Sequence, residues 1–280
     1  MWGCGDFSGG MGVKRSGGSM GAGLRVVLLS HATSFIVLLT LAYLRGDATP
    51  HGTLLAWGIA AGVAGGGALT AFYIALSRGA MGASAAISGL LAAAIPAALT
   101  LWQQGPPGVI PLLGFAVAAV AIWLIAGSPA KAATGGRTRQ TMALAMLAGV
   151  GFGFYFVALK MASPAGVLWP MVSARIGSLS ICSVMLLTLR LRTGNAEASR
   201  GSLNRTAVSW TLATALLDTS GNLLFVEATR TGRLDVASVL ASLYPATTIL
   251  LAALALGEWP TRRQTLGMAA AAVAVALIAI

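Results

Sequence analysis

Long apolar stretches alternate with short polar gaps along the whole chain. A helix that crosses the hydrocarbon core of a bilayer needs about 20 mostly apolar residues, with a range of about 17–25. Nine stretches meet this requirement, at residues 23–44, 52–76, 81–102, 109–126, 141–160, 166–189, 206–229, 234–256 and 263–280. A tenth, residues 2–13, is too short and stops at Lys14. We expect it to be part of a longer helix, or the true start to lie upstream.

The composition agrees with a surface that faces mostly lipid. Of the 280 residues, 57% are hydrophobic and 9% are charged, and the mean hydropathy is +0.84. A soluble domain carries about 25% charged residues, so a soluble globule of this size would have too few charges to cover its surface. We therefore predict a multi-pass integral membrane protein whose main partner is the lipid bilayer.

The basic residues lie mostly in the gaps between the apolar stretches. The net charge is +11, from 18 Lys and Arg against 7 Asp and Glu. With the opening stretch counted as the first span, 13 basic residues lie in the odd-numbered gaps or at the span ends beside them, and 4 in or beside the even-numbered gaps. This asymmetry follows the positive-inside rule. We therefore expect the odd gaps in the cytoplasm, both termini outside, and no nucleic-acid partner.

The gap at residues 127–140 divides the chain near its midpoint. It is polar, contains two adjacent glycines and carries several basic residues, which is typical of a flexible linker. We therefore expect a first unit at residues 1–126, a basic linker at 127–140 and a second unit at 141–280.

The two units resemble each other in sequence. Residues 73–78 (YIALSR) match residues 225–230 (FVEATR) at an offset of 152, and Pro107 matches Pro260 at an offset of 153. Ordered matches of several residue types indicate an internal repeat. Each unit contains five spans, an odd number, so the second must cross the membrane with the opposite topology. Inverted repeats of this kind are common in secondary transporters.

Four short stretches carry a resemblance to a known family. They are WGCGDFSGG at residues 2–10, GFGFYF at 151–156, ASVLASLYP at 237–245 and LGE at 256–258. In these stretches the chain resembles the drug/metabolite transporter superfamily, specifically the ten-helix carriers built from two EamA-type repeats. The first half lacks the Tyr-Pro and Gly-Glu pairs of the second, so the two halves have diverged.

The resemblance implies an all-α integral membrane protein with about ten transmembrane helices in two inverted five-helix repeats. It also implies a secondary transporter that exports a small organic solute (an amino acid, metabolite or drug-like compound) by alternating access. Protons are the candidate coupling ion. A monomer or a homodimer, in the cell membrane and specifically the bacterial inner membrane, is the expected form.

Four polar residues inside the spans are candidates for a substrate or coupling-ion site. Asp218 lies mid-span, and Asn222 follows four residues later on the same helical face. Asp6 lies in the opening helix, and Arg175 lies about ten residues into its span. A charge inside a bilayer is costly and marks a functional site or a buried partner. Arg175 is expected to balance Asp218 or to bind an anionic substrate group.

Aromatic residues and prolines complete the predicted site. Tyr155, Tyr244 and Trp169 are candidates for an aromatic cavity wall. Pro96 and Pro245 are predicted to break corresponding helices of the two halves, since paired interruptions point to a transporter's binding site. We expect this site near the bilayer midplane, at the interface of the halves.

Two other features have mainly structural interpretations. His31 is a lone polar residue among aliphatic ones, and we expect it to be packed rather than reactive. Gly58, Gly62 and Gly66 recur every four residues, a pattern that favours close contact between helices.

Other classes of function fit the sequence less well. The chain has no Walker-type loop, no Cys/His cluster and two histidines, His31 and His51. We therefore expect no ATP-driven pump, no metal, no cofactor and no enzyme activity. Inverted halves with broken helices also favour a carrier over a channel. The main alternative is an intramembrane scaffold that moves no solute.

Overall fold

The structure is a computed structural model that describes residues 1–78, 81–126, 136–199, 203–257 and 259–279. Within these ranges the regular structure is helical throughout, apart from turns between helices. The eleven α-helices are α1 (Trp2–Arg15), α2 (Met20–Arg45), α3 (Thr53–Ser77), α4 (Met81–Gln104), α5 (Val109–Ala126), α6 (Gly136–Ala162), α7 (Leu168–Ser199), α8 (Arg205–Thr231), α9 (Leu234–Ala241), α10 (Pro245–Leu256) and α11 (Arg262–Ala279).

Six segments of the described chain are long and apolar enough to cross a membrane. They are Met20–Arg45, Thr53–Ser77, Ile87–Gln104, Arg139–Ala165, Leu168–Arg192 and Leu234–Leu256. A shorter apolar helix, Val109–Ile125, accompanies them. Helix α8 is equally long, but it carries Asp218, Asn222 and several hydroxyl residues that make it less apolar. The predicted all-α, multi-span fold is confirmed.

Two helices extend beyond the spans predicted from the sequence. Helix α7 continues through Gly194 to Ser199, beyond the end of its predicted span at residue 189. A single glycine costs a helix only about 1 kcal/mol, so it does not end one that already extends beyond the bilayer. Helix α6 begins at Gly136, so residues 136–140 of the predicted linker are helical, and residues 127–135 lie outside the described part.

The two prolines behave differently. Helices α9 and α10 are separated by a turn at residues 242–244, and Pro245 starts α10. Because Pro245 has no N–H, the carbonyl of Ala241 accepts instead from the Tyr244 N–H at 3.2 Å. The predicted break at Pro96 is wrong, since α4 is helical on both sides of it. Proline can bend a membrane helix without ending it, because neighbouring groups satisfy the freed carbonyl.

Contacts between the two halves come in equivalent pairs. Helix α3 packs against α6 and α7, and correspondingly α8 packs against α1 and α2. Helix α4 contacts α6, as α10 contacts α1. Three further contacts, α2 with α7, α5 with α11 and α4 with α9, join helices that the predicted repeat makes equivalent. The main contacts between the halves therefore have a counterpart, though not of equal extent, when the halves are exchanged.

The glycines of α3 bring it very close to α7. A Cβ atom at Gly62 would clash with the backbone carbonyl of Ala174, and one at Gly58 would clash with the Ser173 hydroxyl. A Cβ at Gly66 would lie 2.9 Å from the Cβ of Ser178. The predicted small-residue stripe is therefore confirmed as a helix contact.

The four basic residues of the even gaps all have partners. Arg45 lies 4.0 Å from Asp47, and Arg230 lies 3.2 Å from Glu227. Lys160 donates to the carbonyl of Thr229. Arg233 makes the most extensive set of contacts, to both carboxylate oxygens of Asp235 and to the Gly105 carbonyl at 2.7 Å. The hydrogen bonds to Asp235 raise the pKa of Arg233, so its positive charge stays fixed to this loop junction.

Candidate functional site

A small cavity lies between the two halves and is bounded by α1, α2, α3, α6, α7, α8 and the turn before α10. Its volume is about 50 Å³, which is room for a few water molecules. The structure places all six candidate side chains around it, namely Asp6, Tyr155, Arg175, Asp218, Asn222 and Tyr244.

A buried ion pair joins α7 to α8 at one wall of the cavity. Arg175 Nη2 donates to Asp218 Oδ2 at 2.8 Å. The two residues are only 3% and 9% exposed. Arg175 also donates from Nε to the Ser34 hydroxyl at 2.9 Å, and Thr219 donates to the same hydroxyl at 2.6 Å. The guanidinium of α7 is therefore held by two other helices, α2 and α8, and its charge is balanced within the protein.

His31 is part of this network. Arg175 Nη1 lies 3.0 Å from His31 Nε2, and His31 Nδ1 lies 2.7 Å from the Ser178 hydroxyl. A guanidinium can only donate, so Nε2 must accept and the proton must be on Nδ1. His31 is then neutral, and its Nε2, 4.0 Å from Asp218 Oδ2, forms no ion pair with that carboxylate. Ser178 in turn donates to the Arg175 carbonyl at 3.1 Å.

Asn222 connects α8 to α6. Its side-chain amide donates to the Asp218 carbonyl at 2.7 Å, and its Oδ1 accepts from the Tyr155 hydroxyl at 2.6 Å. The spacing of Asp218 and Asn222, one helical turn apart, puts both on the same face of α8. The wall formed by α6, α7 and α8 is thus cross-linked by hydrogen bonds from Tyr155 to Arg175.

Asp6 lies in the cavity apart from this network. Helix α1 approaches α8 closely because Gly5 faces the backbone of Asp218, and Thr214 donates to the Gly5 carbonyl at 3.3 Å. The Asp6 side chain is only 7% exposed and lines the cavity. Across the described ranges of the chain, no hydrogen bond or ion pair reaches its carboxylate.

The aromatic wall differs in part from the prediction. Tyr155 and Tyr244 line the cavity, and the Tyr244 hydroxyl donates to the Ala85 carbonyl at 3.2 Å. Trp169 is not among the lining residues and donates to the Asp47 carbonyl instead, at 3.0 Å. Trp2 takes that place in the wall and stacks on Phe156 with 5.4 Å between ring centroids.

The sequence alone did not identify several members of the site. His31, Ser34, Ser178 and Thr219 are common residue types whose partners lie on other helices, so no local spacing marks them. Trp2 carries a clearer signal, because it directly precedes the Gly-rich run that lets α1 pack closely. Metal binding has no support in the described ranges, where no group of three His, Cys, Asp or Glu residues is placed to hold an ion.

Charged and aromatic groups around a buried cavity, contributed by both halves of a helical membrane protein, define a polytopic protein with a central site. The sequence profile of the EamA-like transporter family matches residues 139–280, about half of the chain. The chain belongs to the EamA-like transporter family. It is therefore a membrane transporter of the drug/metabolite type.

Solved structures support the same fold. A crystal structure of a protein matches with a TM-score of 0.61 at 13% sequence identity, over 98% of this chain and 93% of the other. It is one of 23 chains with a significant match. No curated protein matches the sequence significantly. At this identity the likeness concerns the fold alone.

Proposed function

We propose that this transporter is a secondary carrier that exports a small organic solute by alternating access. The observation that carries the proposal is the cavity that both halves build around the buried Arg175–Asp218 pair. Its volume of about 50 Å³ is too small for a whole metabolite. Transport therefore requires the halves to separate around the site, as in carriers built from repeats.

The two units at residues 1–126 and 141–280 are proposed to be inverted repeats. The pairwise equivalence of contacts between the halves supports a pseudo-two-fold relation. Because each half contains five spans, with α9 and α10 counted as one, the axis is expected to lie in the membrane plane. A structure with an axis along the membrane normal would contradict this.

The proposed orientation places the odd gaps in the cytoplasm of a bacterial cell. The even gaps hold four basic residues, and Asp47, Glu227 and Asp235 lie beside three of them. That side of the protein is close to neutral, whereas the odd gaps hold 13 basic residues. The positive-inside rule favours the cytoplasm for the more basic side.

Cysteine labelling tests this orientation with a pair of glutamines, both exposed. Gln103 lies in the last turn of α4, at the edge of an even gap, and Gln140 lies near the start of α6. In a variant that lacks Cys4 and Cys182, a membrane-impermeant maleimide added to intact cells is expected to label Gln103→Cys and to spare Gln140→Cys. Permeabilised cells serve as the control in which both react. The reverse pattern would overturn the orientation.

Asp218 is proposed as the site of proton coupling. Its carboxylate faces Arg175 and His31, and Asp6 and Tyr155 line the same cavity. Protonation of Asp218 would remove the charge that Arg175 balances and would loosen the contact between α7 and α8. The ion pair is thus a two-state element that a proton can bias.

An efflux assay in cells that overproduce the protein tests both transport and coupling. A panel of amino acids, other metabolites and drug-like compounds is loaded, and efflux is compared with cells that carry an empty vector. An acidified medium drives protons inward and is expected to accelerate efflux of the transported solute. The quantity compared is the efflux rate in the acidified medium divided by the rate in the medium before acidification. In Asp218→Asn and in Arg175→Gln/Asp218→Asn, this ratio is expected to fall to unity. The double variant removes both members of the pair, so neither is left buried without the other, and a folding defect is separated from lost coupling.

Two outcomes would contradict these proposals. If both variants keep pH-dependent efflux, Asp218 has a structural role and the coupling proposal passes to Asp6. If no solute in the panel leaves faster than with the empty vector, the alternative of a non-transporting membrane scaffold is favoured.

A further inference from the structure

The charged side chains around the cavity do not balance. Two carboxylates, Asp6 and Asp218, face one guanidinium, Arg175, and His31 is neutral by its hydrogen bonds. The cavity therefore has a formal charge of −1 when both carboxylates are ionised. Arg175 and Asp218 already neutralise each other at 2.8 Å. When Asp6 is ionised, its carboxylate is therefore the charge in the cavity that no described side chain pairs with.

We propose that Asp6 forms a binding subsite for the ammonium group of a monovalent organic cation. This inference rests on the proposed transport function and names the class of its substrate. An ionised carboxylate at this depth in a membrane protein needs a partner, and the described ranges provide none within hydrogen-bonding distance of Asp6. A ligand ammonium supplies both the opposite charge and the missing donors.

The walls around Asp6 favour an organic cation over a metal ion. The rings of Trp2, Phe152, Tyr155, Phe156 and Tyr244 line the same cavity. Aromatic faces attract ammonium groups and their methyl or methylene substituents. A hard metal cation instead needs about six oxygen ligands, and the described part of the chain offers no cluster of that kind.

The same balance disfavours an anionic substrate. Three nitrogens of Arg175 already hydrogen-bond to Asp218, Ser34 and His31. A carboxylate or phosphate entering the cavity would meet the carboxyl group of Asp6, which has no donor to offer when ionised, and would have to displace Asp218 from Arg175. The sequence left two roles open for Arg175, to balance Asp218 or to bind a substrate anion. The geometry favours the first.

Calorimetry on the purified full chain in detergent tests the subsite with three ligands of similar shape. Benzylammonium, neutral benzyl alcohol and benzoate differ mainly in charge. Benzylammonium is expected to bind at least tenfold more tightly than the other two. Sodium chloride at equal ionic strength is expected to weaken benzylammonium binding only by screening the charges, and not by occupying the subsite. Asp6→Asn is expected to weaken benzylammonium binding at least tenfold. Glu227→Gln, which removes an exposed carboxylate outside the cavity, is the matched control and should leave binding unchanged.

Equal binding of benzylammonium and benzyl alcohol would overturn the proposal, as would preferred binding of benzoate or unchanged binding in Asp6→Asn. If Asp6→Asn does not purify as a monodisperse protein, the three-ligand comparison on the unsubstituted chain still decides. Benzylammonium binding without efflux of any solute would support the subsite and contradict the transport function. Efflux of a neutral or anionic solute without ammonium binding would overturn the subsite alone.

Discussion

Arg175→Met is expected to reduce the yield of folded protein severely, because it leaves the Asp218 carboxylate buried without its partner. Breaking a buried ion pair by removing one member costs about 3–5 kcal/mol. That is a large share of the 5–15 kcal/mol by which proteins are typically stable. Arg175 also bridges α7 to α2 through Ser34. The measurement is the amount and melting temperature of monodisperse protein after detergent extraction.

The double variant Arg175→Met/Asp218→Leu tests whether the cost comes from charge. Replacing both members of a buried pair by apolar residues is often neutral or stabilising, so most of the yield is expected to return while pH-dependent efflux stays lost. The control is Arg230→Met/Glu227→Met on α8, the helix that carries Asp218. That pair is exposed, so it contributes about 1 kcal/mol or less to the free energy of unfolding. A single Arg175→Met variant as stable as the parent chain would show that water or other groups solvate Asp218.

The charged members of the site are visible in the sequence because lipid makes charge rare. Asp6, Arg175 and Asp218 are conspicuous in apolar stretches, and the structure places all three around one cavity. Their pairing could not be derived from spacing, because Arg175 and Asp218 are 43 residues apart and meet only through the packing of α7 on α8. The roles of these residues in transport stay predictions.

Residues that are common in membrane helices give no comparable signal. From the sequence, His31 is predicted to be an ordinary packed side chain. In the structure α2 lies beside α7, and Arg175 and Ser178 each contact one of the His31 ring nitrogens. The prolines show a related limit. Pro245 follows a turn and starts a new helix, whereas α4 accommodates Pro96. The residue type alone does not distinguish a break from a tolerated proline, because neighbouring helices decide which backbone groups are satisfied.

The sequence could predict that a helix makes a close contact, but not which helix it contacts. The repeat of Gly58, Gly62 and Gly66 indicates a face where a backbone approaches, yet it does not say which helix comes near. In the structure this helix is α7, which carries Ala174 and Ser178 against the stripe and presents Arg175 to the cavity beside them. The glycines of α3 thus set the position of the ion pair.

Gly62→Ala is therefore expected to disrupt both assembly and transport. A Cβ at this position would overlap the Ala174 carbonyl, which is backbone and cannot rotate away as a side chain would. Forcing extra volume into a packed interface costs about 1–3 kcal/mol or more. A shift of α7 that relieves the overlap would also move Arg175 away from Ser34 and His31. We expect a lower melting temperature and at least a severalfold loss of efflux at equal protein level.

Gly67→Ala is the control on the same helix, because a Cβ at Gly67 has no neighbour within 4 Å among the described residues. Alanine also favours a helix over glycine by about 1 kcal/mol in water, so this variant should be as stable as the parent chain or more stable. A parallel loss in both variants would mean that α3 needs glycine for bending rather than for contact. Full stability and efflux in Gly62→Ala would show that α3 and α7 separate easily, and the ion pair would then have to be positioned by α2 and α8.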